Sequence, residues 1–218
     1  MRDVDPDWTE LARKPYGPWI DESFLKYRAA EIRRLEALRE AQPPPPASEL
    51  EIGSNRGCFL EGLCQSRPEV GVYGLELKKG LCELARRRLE RAGLSNGHVL
   101  NADARLALPV FFGEASLRAI YILFPDPWWK KRHEKRRILD QSLLDLAHWL
   151  LLPSGHIVVK TDVLSYMREF AELVEADARY QVVELESVPG FENWQLSTRE
   201  RHCLESGLPV HALAIRRS

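Results

Sequence analysis

The sequence predicts an α/β protein built on a doubly wound, mostly parallel seven-stranded sheet, with helices on both faces and an antiparallel edge. Three observations predict it. From Glu49 onward short apolar runs alternate with amphipathic helical stretches, a rhythm that implies parallel strands joined by right-handed crossovers. The first run ends in Glu51-Ile52-Gly53-Ser54-Asn55-Arg56-Gly57 immediately before a helical pattern, and the second ends at Glu76.

The strands are expected at Leu50–Ile52, Val72–Leu77, His98–Ala102, Leu117–Phe124, His156–Thr161, Val182–Ser187 and Val210–Arg216, where β-branched and aromatic residues gather. Helices are expected at Cys58–Arg67, Lys78–Ala92, Ile138–Leu152 and Val163–Ala178. No strong helical pattern separates the last two strands, so they are expected to pair antiparallel, with Phe191–Gly207 as a long excursion. A loop of that length in a compact domain is usually functional.

Residues 1–47 read as a helical extension and proline-rich linker ahead of a main domain spanning 48–218. Leu25, Ile32, Leu35 and Leu38 recur among charges between Asp21 and Glu40, as on an amphipathic helix, and Pro43–Pro46 then stop it. The segment is too short for a core of its own and is expected to lie against the main domain.

The 218 residues carry a formal charge of −1, so any polyanionic partner must be met by a local patch rather than by the whole molecule. Cys58, Cys64, Cys82 and Cys203 show neither zinc-ligand spacing nor a disulfide framework, which points to a reducing compartment and no metal. The N-terminus lacks a secretory pattern, and apolar runs such as Ala119–Phe124 are too short to span a bilayer. A soluble cytoplasmic protein is expected, monomeric or homodimeric.

In doubly wound sheets ligands bind at the carboxyl ends of the strands. Gly53 and Gly57 allow a tight turn there, and Glu76, nineteen residues after Gly57, is placed to accept hydrogen bonds from ribose hydroxyls. The turn lacks the G-x-G-x-x-G spacing that would set a helix N-terminus against a pyrophosphate, which argues against a dinucleotide oxidoreductase. A nucleoside with a cationic group suits it better, because Glu51 and Asp103 offer carboxylates. Asp103 fits a helix N-cap equally well.

The fourth strand ends in Phe124-Pro125-Asp126-Pro127-Trp128-Trp129-Lys130-Lys131-Arg132-His133-Glu134-Lys135-Arg136-Arg137. Six Lys or Arg against one Glu in residues 130–137 give a local charge of +5. Such runs are often solvated helix faces, but this one begins at the catalytic edge of the sheet, where a phosphate-rich partner would need it. Here the sequence closely resembles the bacterial tRNA (guanine-N7)-methyltransferase family, over roughly residues 49–210. Glu51-Ile52-Gly53, Gly74-Leu75-Glu76, Thr161-Asp162 and Ser197–Glu200 match as well.

The resemblance implies a Rossmann-like methyltransferase fold, S-adenosylmethionine as donor and a variable-loop guanosine of tRNA as acceptor. By position it implies Glu51, Gly53, Glu76, Asp103 and Asp126 on the cofactor side, with Asp126 also catalytic. Lys130, Asp162, Ser197, Thr198, Arg199 and Glu200 are implied as substrate contacts, and Lys131, Arg132, Lys135, Arg136 and Arg137 would meet tRNA phosphates. Asn55 stands where the family has glycine, and the late Thr-x-x-Glu motif reads Ser197-Thr198-Arg199-Glu200, best aligned on Glu200.

Guanine N7 already carries an in-plane lone pair, so Asp126 is expected to orient the ring and stabilise its growing charge rather than act as a base. Asp162 fits a helix N-cap as well as a substrate contact. One of Trp128 and Trp129 is expected in packing, with the other open to stack on a base, and His133 is as compatible with a solvated face as with RNA. A small-molecule or protein methyltransferase would not need the +5 run, and a non-catalytic RNA-binding relative would be expected to lose the carboxylates.

Overall fold

The computed structural model describes residues 4–128 and 137–218. Its strands are β1 (Ser48–Ile52), β2 (Val72–Glu76), β3 (Gly97–Asn101), β4 (Leu117–Leu123), β5 (Leu151–Thr161), β6 (Tyr180–Val183) and β7 (His211–Arg217). They form one sheet in the order β3-β2-β1-β4-β5-β7-β6. The five strands β1 to β5 pair in parallel, and β7 runs antiparallel to both β5 and β6. The expected antiparallel pair is present, with β7 inserted inside the sheet and β6 at its edge. Strand order reverses between β1 and β4, which places the ligand crevice outside their carboxyl ends.

The helices are α1 (Trp8–Ala12), α2 (Glu22–Tyr27), α3 (Ala29–Ala41), α4 (Cys58–Ser66), α5 (Lys79–Arg91), α6 (Ala104–Phe111), α7 (Gln141–Leu150), α8 (Leu164–Glu175) and α9 (Thr198–Glu205). Alternation along the strands creates a core on each face of the sheet. Leu50, Ile120, Ile122, Ile157 and Val159 pack with α1–α3 and α6–α8. Val72, Ala119, Tyr121 and Val158 pack with α4 and α5 on the other side. Among the described residues, no helix is long and apolar enough to cross a membrane.

Four elements differ from the expectation, the first being the strand expected at Val182–Ser187: β6 is Tyr180–Val183, and Leu185–Ser187 makes a 3-10 turn. The helix over residues 21–40 is broken at Arg28, which leaves helical geometry with φ −129° while its guanidinium bonds to Asp103 and Glu31. Helix α6 is missing from the sequence reading because Leu106–Phe111 are all buried, leaving no polar face to set a helical period. The stretch after Phe191 is no open loop. It makes a 3-10 turn at Phe191–Asn193 and then α9, whose N-cap Ser197 accepts from the Glu200 amide at 3.2 Å.

The N-terminal helices bury Leu25, Ile32 and Leu35 in the same cluster as Leu106 and Phe111. Arg34 donates to the Asn101 carbonyl at 2.9 Å and Arg39 to the Val110 carbonyl at 3.3 Å, bracing β3 and α6 from outside. Leu35 is fully buried, so Leu35→Ala should cost about 2–5 kcal/mol and lower a single thermal transition by roughly 5–15 °C. Calorimetry showing an unmoved main transition would mean that these helices form a separate unit.

Candidate functional site

Strand β1 carries two glutamates two residues apart, so both face the α4/α5 side of the sheet. Glu49 is fully partnered: Arg67 lies at 3.0 Å, Arg118 at 2.7 Å, and the Tyr121 hydroxyl donates at 3.1 Å. Glu51 is equally buried, yet no cation pairs with it among the described residues and its Oε2 has no hydrogen-bond partner. Burial pushes its carboxyl up to about 8, with the nearby Glu76 charge adding to the shift and the Leu60 backbone opposing it. A buried carboxylate without a cation is costly. Its free oxygen fits a ligand bearing a positive charge.

Glu51 lies at a cavity of about 500 Å³ lined also by Gly53, Asn55, Cys58, Asp126, Asp162 and Ser197–Arg199. The turn after β1 is held by Gly53 and Ser54 amides donating to the Leu75 carbonyl at 2.8 and 3.0 Å. Gly53 sits at φ +82° and Gly57 at φ +74°, where a Cβ on Gly57 would come within 3.0 Å of Ala85. Asn55 sits at φ 50°. That left-handed region is the one where asparagine is the best substitute for glycine, which accounts for Asn55 in this turn.

Asp126 is exposed at the cavity mouth beyond β4. The chain reaches it through Phe124 at φ 53° and leaves through Trp128 at φ 44°, while the Phe124 amide donates to the Lys160 carbonyl at 2.7 Å. Two non-glycine residues in the left-handed region within five positions store strain at the place where the site needs a sharp corner. Arg137, expected at a phosphate, is committed elsewhere. It donates to the Pro127 carbonyl at 2.9 Å, pairs with Glu169 at 2.6 Å and lies over the Tyr166 ring. Trp128 is half-buried. Lys130, Lys131, Arg132, Lys135 and Arg136, with Trp129 and His133, fall outside the described residues.

On the far wall Asp162 pairs with Arg199 of α9. It does not cap α8, whose N-cap is Val163 without a side-chain bond, so the capping alternative is discarded. Thr198 and Arg199 are exposed to the cavity, while Ser197 and Glu200 turn inward. Glu200 is buried against Lys160 at 2.6 Å, and its Oε2 has no partner. Lys160 in turn lies 5.6 Å from the Trp194 ring centroid. Lys160 is not among the expected site residues, although a lysine directly after the apolar run Ile157-Val158-Val159 is a readable signal.

Glu76 and Asp103 lie one and two strands away from Glu51 and do not line this cavity. Glu76 accepts from the Asn55 amide at 3.1 Å and the Lys78 amide at 2.9 Å, tying β2 to the glycine turn. Asp103 caps α6 through the Arg105 amide at 3.1 Å. It also pairs with Arg28 at 2.7 Å and Arg105 at 2.8 Å. Burial alone would raise this carboxyl, but the hydrogen bonds from Arg105 and Arg28 outweigh it and hold it below its ordinary value. Nothing in the sequence signalled Arg28, which reaches Asp103 across seventy-five positions.

A mostly parallel sheet with β7 reversed, and a buried acid above a glycine turn, defines the methyltransferase class of α/β proteins. The aminoglycoside resistance methyltransferase NpmB1 superposes with a TM-score of 0.53 at 18% identity, covering 84% of this chain and 93% of that one. TrmN from Thermus thermophilus gives 0.54 at 22% identity, covering 86% and 48%. At these identities the likeness speaks for the fold alone. Residues 47–212 match a family model described as a putative methyltransferase. The chain is 38% identical over 175 residues to the tRNA (guanine-N(7)-)-methyltransferase of Anaeromyxobacter dehalogenans, covering 77% of this chain and 84% of that one. It is 34% identical over 171 residues to the Myxococcus xanthus protein of the same name, covering 75% and 80%. The chain belongs to the bacterial tRNA (guanine-N7)-methyltransferase family.

The Glu51 shift has a consequence for stability. Between its ordinary value of 4.5 and about 8, the folded chain holds a proton that the unfolded chain has released. Stability therefore falls as pH rises through that window. Glu51→Gln removes the penalty, so its stability advantage over the parent should grow by roughly 3–4 kcal/mol from pH 5 to pH 8.5. Urea unfolding at the two pH values measures this, and a constant difference would contradict the burial argument.

Proposed function

We propose that this chain transfers a methyl group from S-adenosylmethionine to N7 of a guanosine in the variable loop of tRNA. The observation that carries the reading is the unpaired, buried Glu51 Oε2 at a cavity that Asp126 also lines, in a chain of this family. When bound, S-adenosylmethionine supplies an electrophilic methyl group on a sulfonium. Glu51 would hold its cationic amino group, the Gly53 turn would permit close approach, and Glu76 would take the ribose hydroxyls. Asp103, fixed by Arg28 and Arg105, would stand on the adenine side.

Asp126 accepts hydrogen bonds from guanine N1–H and the exocyclic amine, which turns N7 toward the methyl group and offsets the charge that grows on the ring. Adenine cannot offer that donor pair, so the same contact selects the base. The Asp162–Arg199 pair and Thr198 form the opposite wall of the nucleotide pocket. The resemblance supports Lys130, Lys131, Arg132, Lys135 and Arg136 as tRNA contacts, whereas Arg137 itself is paired with Glu169 of α8.

Two measurements test the reading. Labelled methyl should pass to an unmodified tRNA transcript and not to one whose variable-loop guanosine is adenosine. Asp126→Ala should lower turnover by about 10²–10³-fold with the melting temperature retained. Methylation of the adenosine transcript, or near-normal turnover by the variant, would remove Asp126 from the proposed role.

A further inference from the structure

A second concavity of about 430 Å³ lies behind the glycine turn, between that turn and α5, lined by Arg56, Glu61, Leu84, Arg87, Arg88 and Arg91. Four arginines against one glutamate leave it at +3, in a chain whose overall charge is −1. The one acid is spent, because Glu61 pairs with Arg88 at 2.8 Å. Arg88 also donates from Nε to the Arg56 carbonyl at 3.0 Å, which fixes the floor of the cleft. The guanidinium groups of Arg56, Arg87 and Arg91 have no hydrogen-bond or ion-pair partner among the described residues.

All three arginines are exposed, and the pairing along α5 leaves them available. Arg87 has Glu83 four residues before it and Glu90 three residues after it, both within helical pairing reach. Glu83 instead takes Arg86 at 2.8 Å, and Arg87 faces the cleft beside Arg91, one turn further along. Leu84, one turn before Arg87 and lining the same cleft, is 47% exposed, an apolar surface on which a sugar or base can rest.

We infer that this cleft is a phosphate-binding surface for the backbone of the tRNA, separate from the basic segment that follows β4. The inference rests on the function proposed above. Guanidinium groups bind phosphate oxygens in bidentate fashion, and three without carboxylate partners give up no existing ion pair to do so. Arg56 ties the cleft to the chemistry, since it follows Asn55 of the reaction cavity and precedes Gly57 of the same turn. A strand held at Arg87 and Arg91 therefore runs toward the reacting nucleotide.

The test is equilibrium binding of unmodified tRNA transcript to the full chain across a salt series, by fluorescence anisotropy. Arg87→Gln combined with Arg91→Gln should raise Kd by about tenfold near physiological salt. It should also reduce the salt slope by between about 1 and 2, as expected for two lost phosphate contacts. Turnover at saturating tRNA, cofactor affinity and melting temperature should stay unchanged, and lysine at both positions should restore most of the affinity. An unchanged Kd and slope in a folded glutamine variant would overturn the cleft while leaving the methyltransferase reading intact. Absence of tRNA binding by the parent chain would overturn both.

Discussion

The carboxyl group of Glu51 is held in the interior with no cation beside it among the described residues, and much of the structure is arranged around that constraint. Two residues earlier on the same strand and the same face, Glu49 has two arginines and a tyrosine hydroxyl. The fold can therefore neutralise an acid at this depth and does not do so at Glu51. Position explains the difference. Glu49 lies among packed side chains, whereas Glu51 stands where β1 ends and the crevice opens between β1 and β4. An acid left without a partner there can release its proton when a cationic ligand arrives and stabilise that ligand, with no internal ion pair to be broken first.

Around that point the wall of the site is assembled from segments far apart in the chain. The buried Lys160–Glu200 pair couples β5 to α9, and Asp162–Arg199 couples the same two elements at the surface. Phe124 joins them through the Lys160 carbonyl. On the opposite side Phe24 lies between the Arg28 and Arg105 guanidiniums, 4.8 and 4.9 Å from its ring centroid, as both reach Asp103. The N-terminal helices thus support the β3 edge of the site, while α9 supports the β4–β5 edge.

The sheet was legible because its strands are short apolar runs with clear boundaries, and the glycine turn and Pro-Asp-Pro-Trp corner are local motifs. Helix α6 was not legible, since a helix buried on nearly every side has no polar period to read. Helix α9 has the reverse problem: only Glu200 and Cys203 are buried, although Ser197 and Glu200 bear the cap-and-acid spacing that marks a helix start. Of the site, Glu51, Asp126, Asp162 and Ser197–Arg199 were found in the sequence and meet at one cavity. Arg28 acts through a long-range contact that leaves no local trace, Lys160 shows only as a lysine after an apolar run, and the basic cleft on α5 combines a loop residue with one face of a helix.

The cavity also contains a thiol. Cys58 opens α4, lines the reaction cavity half-buried, and accepts a hydrogen bond from the Thr198 hydroxyl at 3.2 Å. The other three cysteines are buried, and burial pushes the Cys64 thiol up to about 12 and raises that of Cys82. Chemistry at sulfur is therefore concentrated at one accessible position that touches both the glycine turn and α9. A thiol-selective label would settle there first and report when the cavity fills. By the same geometry, oxidants would reach the enzyme's sulfur first at the cavity wall between the glycine turn and α9.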